Sequence, residues 1–225
     1  MVKSIKIKRK ELKQPDQFIS TTDMVLAYCS KHKSRLILVV AVIILVVFSS
    51  FWIRYNQNIK NLRMESLYFK MEQTKNKNES NPKELVGKME KLLSEFNEGV
   101  QKQRATMILA DQLYNFHEYD RAISLYQDIL MAASPTKLQY QLAKVGLAYS
   151  LESKNDFGAA IATYKTIIET PGEYPLFYVY LSLARCYELN NDHNSALLTL
   201  REMKTRFLNH PKIGLVDSRL KKLET

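Results

Sequence analysis

Three stretches of the chain repeat one another, and this repetition limits the folds available to most of its length. LADQLYNFHEYDRAISLYQDIL (residues 109–130) aligns with LAYSLESKNDFGAAIATYKTII (147–168) and with LARCYELNNDHNSALLTLREMK (183–204), at offsets of 38 and 36 residues. Small residues recur at two places in each: Ala110, Ala148 and Ala184, then Ala122, Ala160 and Ala196. Between them lie the polar breaks FHEYD, KNDF and NNDHN. Asn and Asp favour turns and helix caps over helix interiors, so each unit reads as helix, turn, helix. The paired alanines let the two helices of a hairpin cross closely. Tyr126, Tyr164 and Leu200, four positions after the second alanine, fill the remaining gap. Pro135, Pro171 and Pro211 fall near the repeat ends, where a helix must stop.

The flanks extend this core. Asn81-Pro82-Lys83-Glu84 is a helix start, with Asn81 as cap and Pro82 in the first turn. Leu85, Val86, Met89, Leu92, Leu93 and Phe96 then share one helical face, and Gly99 is expected to close that helix. At the other end Ile213, Val216, Leu220 and Leu223 form one side of a short helix. It is placed to cap the last repeat. The pattern predicts a solenoid over residues 82–225. Its repeats cover about 103–135, 141–172 and 177–211, with a capping helix over 212–224.

The small-and-large signature resembles the tetratricopeptide repeat, a helix-turn-helix unit of 34 residues. The chain departs from it at two places. The first-helix Trp position holds Thr106, Lys144 and Tyr180, and the Tyr position holds Leu113, Leu151 and Tyr187. Both offsets also exceed the usual period, which implies longer second helices or loops.

Residues 36–53, LILVVAVIILVVFSSFWI, carry no charge, and fourteen of the eighteen are Leu, Ile, Val or Phe. At about 1.5 Å per residue the run spans about 27 Å, close to a bilayer core. Arg35 and Arg54 bracket it, and Trp52 and Tyr55 sit where an interfacial aromatic belt would lie. A cleaved signal peptide has a shorter apolar core and a small-x-small site, which Ser49-Ser50-Phe51-Trp52 does not offer. A buried core helix normally keeps a polar stripe. The expectation is a retained single-pass transmembrane helix over 36–53, a juxtamembrane helix over 54–73 and a polar linker over 74–81. No small-xxx-small motif marks the span for pairing with another helix.

The tail, residues 1–35, carries nine Lys/Arg against three acidic residues, most of the chain's net charge of +10. It opens on KIKRKELK and ends on a short helical stretch starting at Thr21, Thr22 and Asp23. Such a tail serves as a topology determinant, or it touches anionic lipid, a ribosome or an acidic partner. It lacks the folded groove-reading element of a nucleic-acid module, so no nucleic-acid partner is expected. Short basic tails stay in the cytoplasm while long domains cross. The expected orientation is N-terminus cytoplasmic and C-terminal domain outside, although Lys/Arg within twenty residues of the span nearly balance. Cys29 and Cys186 fall on opposite sides of the span and form no disulfide framework.

Nothing in the sequence carries catalytic chemistry. It has no phosphate-cradling glycine loop, no nucleophile elbow and no His cluster at metal-ligand spacing, so neither enzyme activity, cofactor nor metal is expected. The remaining reading is protein binding. In tetratricopeptide repeats the first helices line a concave groove. By register that face holds Arg104, Met107, Asp111 and Tyr114, then Leu142, Val145, Tyr149 and Glu152, then Tyr178, Leu181, Arg185 and Glu188. It lacks the Lys/Asn cluster with which chaperone-docking repeats clamp a peptide carboxylate. Its tyrosines suit peptide contact, and they equally suit sealing of helix contacts.

The order of parts (basic tail with KELKQPDQF, one span, a helix, a small divergent repeat domain, a capping helix) resembles bacterial envelope proteins of the YfgM type. These are ancillary subunits of the Sec translocon. The resemblance implies an inner-membrane protein whose periplasmic repeats contact the translocon, periplasmic chaperones or emerging chains. The expected fold class is all-α, with one N-terminal transmembrane helix and a tetratricopeptide-like helical-hairpin solenoid. The expected role is a membrane-tethered interaction scaffold assisting translocation or periplasmic folding. The alternatives are a structural assembly factor for a division or secretion machine, and a cytoplasm-facing membrane receptor. The oligomeric state is not encoded in any of these features.

Overall fold

The computed structural model describes residues 17–76, 81–135, 137–170 and 174–224, with side chains from residue 24. Those residues are all helical or in connections between helices. Residues 1–16 with KIKRKELK, residues 77–80 of the expected linker and the repeat-end Pro171 lie outside the described residues. The chain divides into two units, one up to Lys60 and one from Asn61 onward.

The first unit holds α1 (Gln17–Lys31) and the start of α2 (Lys33–Lys75). Helix α1 begins at Gln17, ahead of the expected start near Thr21. Helix α2 runs unbroken for 43 residues. The apolar run and the segment 54–73 therefore belong to one helix. By length and composition α2 can cross a membrane, and none of its most apolar window is buried.

The second unit contains the end of α2, then α3 (Pro82–Ser94), α4 (Val100–Asn115), α5 (Tyr119–Ala132), α6 (Leu138–Ser153), α7 (Phe157–Glu169), α8 (Phe177–Leu189), α9 (His193–Arg206) and α10 (Gly214–Leu223). Helices α4 to α9 pair as three hairpins, and each hairpin packs on the next through α5 with α6 and α7 with α8. The reason is visible at the alanines. Ala110, Ala122, Ala148, Ala160, Ala184 and Ala196 are all completely buried, and Tyr164 and Leu200 fill the space beside them without exposure. Each large side chain so buried stabilises the fold by about 1.5–3 kcal/mol. A larger side chain at any of the alanines would force the helices apart.

The three hairpin turns share one geometry. His117, Asn155 and Asn191 take positive φ of 63°, 66° and 61°. In each turn the next residue's N–H returns to a carbonyl five residues back: Glu118 to Leu113, Asp156 to Leu151 and Asp192 to Tyr187, at 2.8–2.9 Å. This is a Schellman closure with the left-handed residue that Asn and His adopt more readily than most. Asp156 and Asp192 then cap the following helix, accepting from the N–H of Ala159 and Ser195. Glu118 stands at the same place without a side-chain cap bond.

Asn81 caps α3 as expected, accepting from the Lys83 N–H at 3.1 Å. Gly99 does not close that helix. α3 ends at Ser94, where Glu95 and Phe96 bond back to Leu92 and Leu93 in a tightened last turn. Phe96 leaves the helix and stays buried. The Asn97 N–H donates to Met64 Sδ at 3.3 Å, so a contact with α2 ends the helix rather than a glycine cap. Gly99 instead opens α4 with φ 144°, a conformation that side chains strongly disfavour. Met64, Leu67 and Met71 of α2 join Leu85, Val86 and Met89 of α3 in one core with the first hairpin. Val216 and Leu220 of α10 close the other end over Phe177, Tyr180, Leu200 and Met203.

Candidate functional site: a groove between the first two hairpins

Helices α4 and α6, the first helices of the first two hairpins, border an open groove of about 420 Å³. Six of the twelve residues expected on the concave face line it: Met107, Asp111, Tyr114, Leu142, Val145 and Tyr149. Lys75, Asn115, Tyr126 and Gly146 complete the lining. Leu142 is 40% exposed while Val145 beside it is buried, so the wall offers an apolar surface that is open on one side.

The groove's acidic group is fixed from behind. Tyr126, on the second helix of its hairpin, donates from its hydroxyl to Asp111 Oδ1 at 2.6 Å. Its ring reaches there by passing over Gly146, where a Cβ would stand only 2.4 Å from Cζ. Burial raises the Asp111 carboxyl above the usual carboxylate range, against the opposing pull of the Tyr126 bond and of Lys75. Burial, and then the Asp111 charge, push the Tyr126 hydroxyl up as well, so its proton stays in place as a donor. The site thus combines an apolar wall with one half-buried carboxylate. It suits contact with an apolar side chain beside a donor or a cation.

Several expected groove residues form bonds within the fold instead. The last expected position of each first helix stitches to a later helix: the next hairpin for the first two, and α10 for the third. Tyr114 Oη lies 3.1 Å from Ser153 Oγ, Glu152 pairs with Arg185, and Arg219 pairs with Glu188 at 3.4 Å. Glu152 is nearly buried and also accepts from the Tyr164 hydroxyl at 2.8 Å. Burial first, then the Glu152 charge, pushes the neighbouring Cys186 thiol up to about 12. Arg104 stacks 4.0 Å from the Tyr68 ring and lies 3.9 Å from Glu65. Tyr178 faces His210 and Lys212, and Leu181 packs against the third core. Arg104, Glu152, Tyr178, Leu181, Arg185 and Glu188 therefore lie outside this groove. Four are charged groups already paired, a state that register alone does not reveal.

Sequence reasoning assigned Tyr126 to the core and did not single out Gly146. The signal was a glycine where the other repeats carry Ile108 and Ser182. Among the described residues no group of three His, Cys, Asp or Glu is placed to hold a metal ion.

Residues 30–174 match the family model described as a tetratricopeptide repeat-like domain, which covers more than half of the chain. The chain belongs to the tetratricopeptide repeat-like family. The match runs from the end of α1 through the second hairpin, and the third hairpin continues the same geometry. No curated protein matches the chain. The fold is similar to the crystal structure of nearly identical TPR-like repeats from a Podosopora anserina protein named as a kinesin light chain. That likeness has a TM-score of 0.58 at 14% identity, covering 72% of this chain and 85% of that one. A Q17M form of the same protein matches with a TM-score of 0.58 and covers 84% of that chain. The likeness is one of fold. Tetratricopeptide-like repeats are protein-interaction scaffolds, and that is the class to which this chain belongs.

Proposed function

We propose that the chain is a membrane-tethered scaffold whose groove between α4 and α6 docks a protein partner at an envelope membrane. The observation that carries this reading is the pairing of two features in one chain. One is an interaction-type repeat unit with an open apolar groove. The other is a helix whose 18-residue apolar window is entirely unburied. In water such a run is a liability, and in a bilayer it is an anchor. Tethering replaces free diffusion with a high local concentration, so a shallow groove of modest affinity suffices.

Residues 36–53 span the inner membrane in this reading, the basic tail stays in the cytoplasm and the repeats face the periplasm. The partner is the Sec translocon, a periplasmic chaperone or an emerging chain, in line with the resemblance to YfgM-type subunits. Photocrosslinking from Leu142 or Tyr149 in cells, followed by mass spectrometry, tests it. Recovery of translocon subunits or nascent chains is expected. Recovery of one fixed division or secretion-assembly protein alone would replace this role with that of an assembly factor. A reporter active only in the cytoplasm, fused after Thr225, is expected to be silent. Its activity would invert the topology and make the chain a cytoplasm-facing receptor.

A further inference from the structure

Helix α2 has two unlike faces beyond its apolar run. Met64, Leu67 and Met71 are buried with α3 and the first hairpin. Leu62 and Phe69, on the opposite side, are 63% and 59% exposed, and Ser66 between them is exposed too. Apolar side chains scattered singly need no partner, but a regular row of them marks a contact surface. The spacing here is that of a coiled coil. Tyr55, Ile59, Leu62, Ser66, Phe69 and Gln73 follow one another at alternating intervals of four and three residues. That is the a/d alternation of a heptad, with Ile59 and Ser66 at a positions and Leu62 and Phe69 at d positions. Ile at a with Leu at d favours two strands, and a polar residue such as Ser66 at a fixes register at a cost in stability.

The charges beside this row point to what covers it. Glu65 and Glu72 flank it on one side, Arg63 and Lys70 on the other. A helix lying on lipid carries bases on both flanks. A second copy of α2 running parallel instead brings Glu65 of each copy beside Lys70 of the other, the flank pairing of two-stranded coils. An antiparallel copy would set the acidic flanks against each other, and the basic flanks likewise. Glu65 accepts from the Gln101 amide at 3.0 Å, yet its side chain remains 57% exposed and open to a second donor.

We propose that α2 pairs in parallel with α2 of a second copy of this chain, through a seam of Ile59, Leu62, Ser66 and Phe69 registered by two Glu65–Lys70 ion pairs. The pair presents two copies of the repeat unit. Anchoring both copies in one membrane imposes the same parallel sense and a high local concentration, so a short seam suffices. That clause alone rests on residues 36–53 being a span. Disulfide trapping of the full chain in a Cys29→Ser background tests the seam, with membrane and soluble fractions of the cells both assayed. Leu62→Cys and Phe69→Cys should each give a covalent dimer under mild oxidation. Their yield should exceed by about fivefold that of Lys60→Cys or Asn61→Cys, which are exposed but lie off the seam. Lys70→Glu should lower the Leu62→Cys yield about threefold, and adding Glu65→Lys should restore it. Three results would overturn the proposal. They are equal yields at all four positions (random collision), no dimer from Leu62→Cys or Phe69→Cys (lipid or another protein on the row), and no loss with Lys70→Glu. Recovery of the chain in the soluble fraction would remove the anchor, while the cysteine pattern in that fraction would still judge the seam.

Discussion

Gly146 lies directly under the ring of Tyr126, and the Tyr126 hydroxyl holds Asp111 at 2.6 Å on the floor of the groove. An added Cβ at position 146 would meet Cζ at 2.4 Å, well inside contact distance. The glycine, on the first helix of the next hairpin, is therefore what leaves room for the tyrosine ring to reach the carboxylate on the first helix of its own hairpin.

Gly146→Ala should destabilise the chain by about 1–3 kcal/mol, the usual cost of forcing atoms into a packed site. Denaturant unfolding measures this. In a Tyr126→Leu background the ring end is gone, and the same glycine substitution should cost far less. An additive double mutant would show that the ring and the glycine do not meet in solution.

Asn155 and Asn191 hold the left-handed turn positions of the second and third hairpins. Asn155→Gly should be close to neutral. Asn155→Val should cost about 1–2 kcal/mol, because a branched Cβ collides with the following carbonyl in that region. Thermal melts of the two variants side by side distinguish a backbone requirement from a side-chain contact.

Asp111 gives a pH signature. Its folded-state carboxyl is raised above the ordinary value of 3.8 by burial. Between that value and the raised one the folded state binds more protons than the unfolded state, so stability falls as pH rises through this interval. Asp111→Asn removes the titration and keeps an acceptor for Tyr126. The stability of the variant relative to the parent should therefore grow as pH rises from about 4 towards neutrality. A difference that shrinks over that range would mean the carboxylate is stabilised, not penalised, in the fold.

The repeat core was legible because each hairpin obeys the same local rule. An alanine at each crossing, a polar break and a large residue four positions later are short-range facts, and burial follows from them. The turns of the second and third hairpins were legible for the same reason, since Asn155-Asp156 and Asn191-Asp192 announce them, whereas His117-Glu118 in the first turn carries a weaker local signal. The end of α3 was not legible. It is decided by Met64, thirty-three residues earlier, which accepts the Asn97 N–H, and Gly99 was free to start the next helix. Six of the twelve residues expected on the concave face do not line this groove, and local pattern does not show why. Register places Glu152 and Arg185 on the inner face, but only distance reveals that they pair with each other.

If residues 36–53 are a bilayer span, charges at their centre should undo it. Val42→Lys together with Leu45→Lys should each cost about 2.5–3.5 kcal/mol of insertion free energy. The parent chain should stay in the membrane pellet after alkaline carbonate extraction, and the double variant should be released. Release of the parent under the same treatment would remove the anchor from this account.

The central claim is that the groove between α4 and α6 docks a protein. Photocrosslinkers placed in cells at Leu142 and Tyr149, in the groove, and at the exposed Met131 and Leu198, on second helices, test it most directly. The account predicts a common adduct from the two groove positions and none from Met131 or Leu198. Adducts from Met131 or Leu198 with silent groove positions would contradict it.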